Sequence, residues 1–123
     1  MDISQFSKCY AVRRMKEADI ADIFTLCCKN HLFYQYCPPF VTEESIADDM
    51  KALPPNKELS DKYYLGYYDA EKLIAVMDLI RAYPNENTAF IGFFMTDVSV
   101  QNTGIGSAII DELCSYLTEI GFE

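Results

Sequence analysis

The chain has 123 residues, half of them apolar and 14% aromatic. This is the size of one domain, residues 1–123, with enough apolar side chain to bury a core, which excludes a disordered chain. Ten Lys and Arg against 19 Asp and Glu give a formal charge of −9, so the basic footprint of a nucleic-acid binder is absent. Such a surface attracts cationic partners such as amines, or serves solubility alone. In chain order, residues 6–14 (FSKCYAVRR) contain a β-prone run and predict a first strand. Residues 18–31 predict a helix, with Ile20, Ile23, Phe24, Cys27 and Cys28 as its apolar stripe. An aromatic stretch, residues 32–41, then reaches Cys37-Pro38-Pro39 and reads as a loop. Thr42 can cap a second helix whose buried side is Ile46, Met50 and Leu53, ending at Pro54-Pro55. The period then changes to that of strands at residues 62–68, 73–81 and 88–98, joined by the turns at Asp69-Ala70-Glu71-Lys72 and Pro84-Asn85-Glu86-Asn87. These strands are apolar on both faces, which predicts a sheet covered on both sides. A last helix opens at Gly104 or Gly106 and runs to Glu119, burying Ile105, Ile109, Leu113, Tyr116, Leu117 and Ile120, with Gly121 placed to end it.

The most informative stretch joins the last strand to the last helix: Val100-Gln101-Asn102-Thr103-Gly104-Ile105-Gly106-Ser107. Two glycines let backbone turn tightly and approach a ligand with no Cβ in the way. The first N–H groups of the helix have no intrahelical partner, and with the helix dipole they form an anion site. No lysine precedes Ser107, which excludes the nucleoside-triphosphate P-loop. The third glycine of the dinucleotide fingerprint is missing, and hairpins rather than a βαβ unit precede the loop. Taken alone, the pattern is equally that of a tight turn that binds nothing.

Gln101-Asn102-Thr103-Gly104-Ile105-Gly106 resembles the Gln/Arg-x-x-Gly-x-Gly/Ala signature of the GNAT superfamily of acyl-CoA-dependent N-acetyltransferases. Ser107-Ala108-Ile109-Ile110 is similar to the start of that family's helix, and Phe93-Phe94-Met95-Thr96-Asp97 to its fourth strand. Residues 11–20, AVRRMKEADI, are similar to its opening, so the resemblance covers nearly the whole chain. It implies an α/β fold with a mixed, mostly antiparallel sheet and helices on both faces. It also implies transfer of an acetyl group from acetyl-CoA to a primary amine of a small molecule or peptide. Gln101, Asn102, Thr103, Gly104, Ile105 and Gly106 would then hold the pyrophosphate, with Ser107 capping. Phe94, Met95 and Thr96 would line the pantetheine arm and thioester. The resemblance further implies a fifth strand and a fourth helix beyond the position of Glu123, which this sequence does not contain. Without them the fourth strand is expected to be an open apolar edge, suited to forming a homodimer. The alternative function is therefore an acyl-CoA-binding or self-associating module without turnover. A second alternative is an interaction protein with no ligand.

The family's glutamate near the start of the fourth strand has no counterpart, since Ala89-Phe90-Ile91-Gly92 carries no carboxylate. Asp78 and Asp97 are the nearest candidates, and Asp78 is the one assigned as catalytic. It interrupts an apolar strand, and the turn at Pro84 should pair it with Phe93 or Phe94. Asp78 reads equally as an outward or salt-bridged residue, and Asp97 as a turn-forming one. None of the nine tyrosines matches the family's acid position, so none is assigned that role. Tyr34 and Tyr36, in the segment that resembles the family's acceptor loop, are candidate contacts to the amine, by cation–π if it is charged. They read equally as rings packed on the sheet.

The five cysteines, Cys9, Cys27, Cys28, Cys37 and Cys114, are odd in number and form no disulfide framework, as in a reducing cytosol. His31 follows Cys27 and Cys28 at helical spacing, but a closed zinc site needs a second pair of ligands, so no metal is expected. No run reaches the roughly 18 apolar residues of a membrane span, and Met1–Gln5 has no signal-peptide character. The sequence thus predicts a cytoplasmic protein that binds neither membrane nor nucleic acid.

Overall fold

The computed structural model describes residues 2–30, 41–101 and 103–122. Four strands form one antiparallel sheet in sequence order: β1 (Ala11–Arg14), β2 (Lys62–Asp69), β3 (Lys72–Ile80) and β4 (Phe90–Thr96). Helices α1 (Ile20–Cys28) and α2 (Glu43–Lys51) cover one face, and α3 (Ile105–Glu119) covers the other. This is the mixed α/β architecture, helices on both faces, that the sequence predicts. Side chains alternate across the pleat, so Tyr63, Leu65 and Tyr67 of β2 pack toward α3 while Tyr64 packs toward α1 and α2. Ile109, Leu113 and Leu117 supply the α3 side of the first core, and Ile23, Leu26, Cys27 and Ile46 the helical side of the second.

Bulges change which face a residue meets. Asp78 pairs with Phe93, and Leu79 pairs with Ile91, so Gly92 is the extra residue of β4. Ile91 therefore joins the α3 core although Phe93, two residues on, joins the opposite one. Phe94 and Met95 continue the alternation, facing the α3 core and the α1–α2 core respectively.

Thr42 caps α2 as predicted: its hydroxyl accepts from the Ser45 N–H at 3.0 Å, and the Ser45 hydroxyl accepts from the Thr42 N–H at 3.0 Å. Gly121, at φ +98°, ends α3, with its N–H on the Thr118 carbonyl and the Phe122 N–H on the Leu117 carbonyl. Three expectations are corrected. The first strand is shorter than residues 6–14, because Ser7 Oγ accepts from the N–H groups of Cys9 and Tyr10 and bends the chain there. Phe6 is buried all the same, its ring 5.2 Å from that of Tyr116. The buried stripe of α1 is centred on Ile23, Leu26 and Cys27, rotated from the predicted one, so Phe24 and Cys28 are only partly covered. Ile120 is exposed, since it is the cap residue at which α3 already departs from helical geometry.

Tyr67 carries a polar group into the core. It is fully buried, its hydroxyl has no hydrogen bond among the described residues, and burial followed by the charge of Glu112 pushes its pKa up. A buried hydroxyl without a partner forfeits its hydration for nothing. Tyr67→Phe is therefore expected to raise unfolding stability by about 1 kcal/mol. Urea denaturation of the two proteins is the check, and a loss of stability would mean that the hydroxyl has a partner in solution.

Candidate functional site: the β4–α3 loop

Asp97, at the end of β4, is 2% exposed and caps the short 3-10 turn Val98–Val100. Its Oδ2 accepts from the Ser99 N–H at 3.1 Å and the Ser99 hydroxyl at 2.5 Å. Lys29 Nζ lies 3.3 Å from Oδ1, and Lys72 Nζ lies 3.8 Å from Oδ2. Burial pushes the carboxyl pKa up, but the Ser99 hydrogen bonds and Lys29 outweigh it and hold the group below its ordinary value. These bonds make Asp97 a loop-building residue rather than a free base. A carboxyl with a depressed folded-state pKa stabilises above its unfolded value and loses that contribution as the pH falls. Asp97→Asn is thus expected to cost about 1–2 kcal/mol at neutral pH. The difference from the parent should shrink as the pH drops below 3.8. Denaturation series at neutral and acid pH check this, and a pH-independent difference would refute it.

Asn30, just past α1, ties the loop to the strand. Its amide donates to the carbonyls of Leu26 at 3.2 Å and Thr96 at 3.3 Å, and its Oδ1 accepts from the Gln101 side chain. Gln101 Nε2 also reaches the Thr96 carbonyl at 3.3 Å. Asn30 belongs to no motif in the sequence. Its signal was position: it lies four residues after buried Leu26 and three after buried Cys27, on the face that meets the sheet.

Gly104 is the N-cap of α3, at φ +84° and ψ −3°, a conformation that side chains with a Cβ disfavour. Thr103 helps close the end: its hydroxyl donates to the Val100 carbonyl and accepts from the Ile105 N–H at 3.4 Å. Ser107, the expected cap, stands inside the helix and makes no capping bond. Among the described residues, the N–H groups of Gly106 and Ser107 have no hydrogen-bond partner. They border an open hollow of about 450 Å³ lined by Thr96, Val100, Gln101, Gly104, Gly106 and Ser107. Asn102 lies outside the described residues, as do Tyr34 and Tyr36.

The register of β4 decides what else faces this hollow. The Asp97 N–H donates to the Ile74 carbonyl at 2.7 Å, and Met95 pairs with Val76. Alternation then turns the backbone N–H and C=O of Phe94 and Thr96 away from β3, toward the open edge. The Thr96 carbonyl accepts the Asn30 and Gln101 amides there. The Phe94 N–H and C=O have no strand partner among the described residues. Of the predicted arm-lining residues, Phe94 and Thr96 thus offer backbone at the edge, whereas the Met95 side chain is buried in the α1–α2 core. A Cβ on Gly106 would sit 3.5 Å from the Thr96 side chain and 3.8 Å from the Phe94 ring, so loop, helix start and strand edge are contiguous.

Asp78 pairs with Phe93, as predicted, on the face covered by α1 and α2. Its Oδ2 accepts from Lys62 Nζ at 3.0 Å, and Lys62 also donates to the Ala52 carbonyl at 2.7 Å. Burial pushes the Asp78 pKa up, and Lys62 opposes it. Lys62 was not singled out from the sequence, where it reads as a solvated strand end. A larger hollow of about 660 Å³ lies between the N-terminal turn and α3, lined by Lys8, Glu112 and Tyr116 among others. Asp111, Glu112 and Glu119 line it against the single cation Lys8, a balance that disfavours a phosphate. Among the described residues, no group of three or more His, Cys, Asp or Glu is placed to hold a metal. None of the described helices is long and apolar enough to cross a membrane.

A model of the acetyltransferase (GNAT) family matches residues 19–123. Among solved structures, the chain is similar to an acetyltransferase from Thermus thermophilus, at TM-score 0.76 and 12% identity, covering 92% of this chain and 71% of that one. It is similar to the ribosomal-protein-S18-alanine N-acetyltransferase from Escherichia coli, at TM-score 0.61 and 13% identity, over 91% of this chain and 61% of that one. It is also similar to an aminoglycoside acetyltransferase from an uncultured soil metagenomic sample, solved in complex with sisomicin, at TM-score 0.54 and 21% identity, over 99% and 76% of the two chains. No curated protein sequence matches the chain. The family model takes in the β4–α3 loop together with both helical layers and all strands but the first, and on that match the chain belongs to the acetyltransferase (GNAT) family.

Proposed function

We propose that this chain binds acetyl-CoA at the β4–α3 loop and serves transfer of the acetyl group to a primary amine. The observation that carries the reading is the pair of N–H groups at Gly106 and Ser107 that have no partner among the described residues, opening on a hollow beside the edge of β4 that no described strand covers. Backbone donors at a helix start suit a pyrophosphate. The Phe94 N–H and C=O suit the amide groups of the pantetheine arm, as a strand partner would. In the reaction a neutral amine nitrogen attacks the thioester carbonyl, the N–C bond forms and the C–S bond breaks. One proton leaves nitrogen and one proton ends on the thiol sulfur, so the products are an acetamide and CoA. An edge N–H near Phe94 would stabilise the developing oxyanion, and Asp78 is the carboxylate nearest in register to receive the amine proton. The surplus of acidic residues favours encounter with cationic acceptors.

Calorimetric titration of acetyl-CoA, followed by thiol release with a panel of primary amines, tests this. Saturable binding and amine-dependent CoA release are expected. A folded chain that fails to bind acetyl-CoA at millimolar ligand refutes the reading. A second reading, an acyl-CoA-binding or self-associating module, draws on the open β4 edge and on Phe90, which is 46% exposed there. It predicts acetyl-CoA binding without CoA release, together with a concentration-dependent dimer on a sizing column.

A further inference from the structure

The end of α1 grips the β4–α3 loop through two neighbouring residues. Lys29 Nζ lies 3.3 Å from Asp97 Oδ1. Asn30 is 7% exposed, and both ends of its side-chain amide are in use. The nitrogen donates to the Leu26 carbonyl at 3.2 Å and to the Thr96 carbonyl at 3.3 Å, and Oδ1 accepts from Gln101 Nε2. Gln101 Nε2 in turn reaches the Thr96 carbonyl at 3.3 Å. Asn30 and Gln101 thus bond to each other and to one shared carbonyl. Helix capping does not ask for this, since Thr96 and Gln101 lie 66 and 71 residues away from Asn30. Thr96 and Gln101 line the hollow that the Gly106 and Ser107 N–H groups border, and Asn30 stands behind them without lining it. The helix start meets the same wall, because a Cβ on Gly106 would come within 3.5 Å of the Thr96 side chain.

We infer that Asn30 is a positioning residue for the pyrophosphate of acetyl-CoA, acting through Gln101. This rests on the acetyl-transfer reading and adds to it a residue that does not line the hollow. Two physical effects make the ligand depend on it. The first is geometry. Gln101 begins the loop whose other end is the α3 cap at Gly104, so an anchored Gln101 holds the wall of the hollow in place opposite the Gly106 and Ser107 donors. Gln101 is exposed, and an exposed glutamine has many rotamers, of which the buried Asn30 selects one. A site held in its binding shape beforehand loses no further freedom when the anion arrives. The second effect is charge. A carbonyl oxygen beside an anion site repels the ligand unless N–H groups cover it, and Asn30 and Gln101 bring two amides to the Thr96 carbonyl. Without Asn30 that oxygen loses one donor, and Gln101 loses one of its acceptors and is released to turn.

The test follows the Gly106 and Ser107 amide NMR signals of the 123-residue chain during titration with inorganic pyrophosphate. The proteins are the parent, Asn30→Ser, Gln101→Ala and the double variant. A serine hydroxyl at position 30 can still bond the Leu26 carbonyl four residues back, but it is too short to reach Gln101, so it removes the grip and keeps the local bond. Saturating shifts are expected in the parent. Each single variant should bind pyrophosphate about tenfold more weakly. The double variant should stay within about threefold of the weaker single one, since the two residues act in series. Thermal midpoints are recorded beside the titrations. An Asn30 that is structural only would lower the midpoint and leave the affinity of the folded chain within about twofold of the parent, which would overturn the inference. Losses that multiply in the double variant, or parent amides that do not respond, would overturn it as well. Acetyl-CoA titration is run in parallel. Acetyl-CoA binding that is equal in the parent and Asn30→Ser would remove the positioning role alone. A pyrophosphate response that Asn30→Ser weakens, without acetyl-CoA binding in the parent, would keep Asn30 as the positioning residue of an anion site and remove the acetyl-transfer reading.

Discussion

Replacing Lys62 with Met is expected to destabilise the fold by about 3–5 kcal/mol, the largest effect of any single charge removal here. The Lys62 side chain is 3% exposed and that of Asp78 16%, so the pair sits inside the fold rather than on it. Removing the ammonium leaves a buried carboxylate with neither oxygen bonded among the described residues, and frees the Ala52 carbonyl as well. The double variant, Lys62→Met with Asp78→Leu, should recover most of the loss, because two apolar side chains ask for no compensation. Urea denaturation of the parent, both single variants and the double variant gives the coupling between the two positions. A Lys62→Met protein within about 1 kcal/mol of the parent would mean that water reaches the pair and the site is wetter than its burial implies.

Gly104→Val is expected to weaken acetyl-CoA binding by more than tenfold, about 1.4 kcal/mol, and to cost about 1–2 kcal/mol of stability. The two losses have separate causes. At φ +84° a β-branched residue is strained whatever the space, and nothing lies within 4 Å of the position its Cβ would take. The stability loss is therefore backbone strain. The affinity loss follows from a side chain placed at the mouth of the hollow and from displacement of the N–H groups behind it. Gly106→Ala is the contrast, since its Cβ would meet only ordinary contacts at 3.5 and 3.8 Å within a helix. Its stability should be unchanged or raised by up to about 1 kcal/mol through helix propensity. Calorimetry and denaturation on the three proteins check both claims. A Gly104→Val chain that binds acetyl-CoA as the parent does would place the pyrophosphate elsewhere.

The site was legible where local chemistry alone dictates structure. Gly104 and Gly106 between a buried strand and an amphipathic helix announced a tight turn at the helix start. Thr42 before Glu43 and Glu44 announced a capped helix start. The apolar runs of β2 and β3 announced a sheet covered on both sides, because a strand with two buried faces has no polar alternation. The turn at Pro84 narrowed the partner of Asp78 to Phe93 or Phe94, and the register selects Phe93.

The sequence by itself determined the class of fold, the order of elements and the glycine turn between β4 and α3, since each follows from periodicity, caps and turn residues within about fifteen positions of one another. Tertiary structure alone decided the rest. Asn30 became a strut only because α1 is rotated to aim it at the Thr96 carbonyl, 66 residues away. The partner of Asp78 turned out to be Lys62, because packing of α2 against the sheet closes over a lysine that reads as solvated. The faces met by Ile91 and Phe93 were set by one bulge at Gly92, since a single inserted residue inverts every side chain that follows it. Periodicity carries no record of such insertions, nor of which distant polar atoms a fold will bring within about 3 Å.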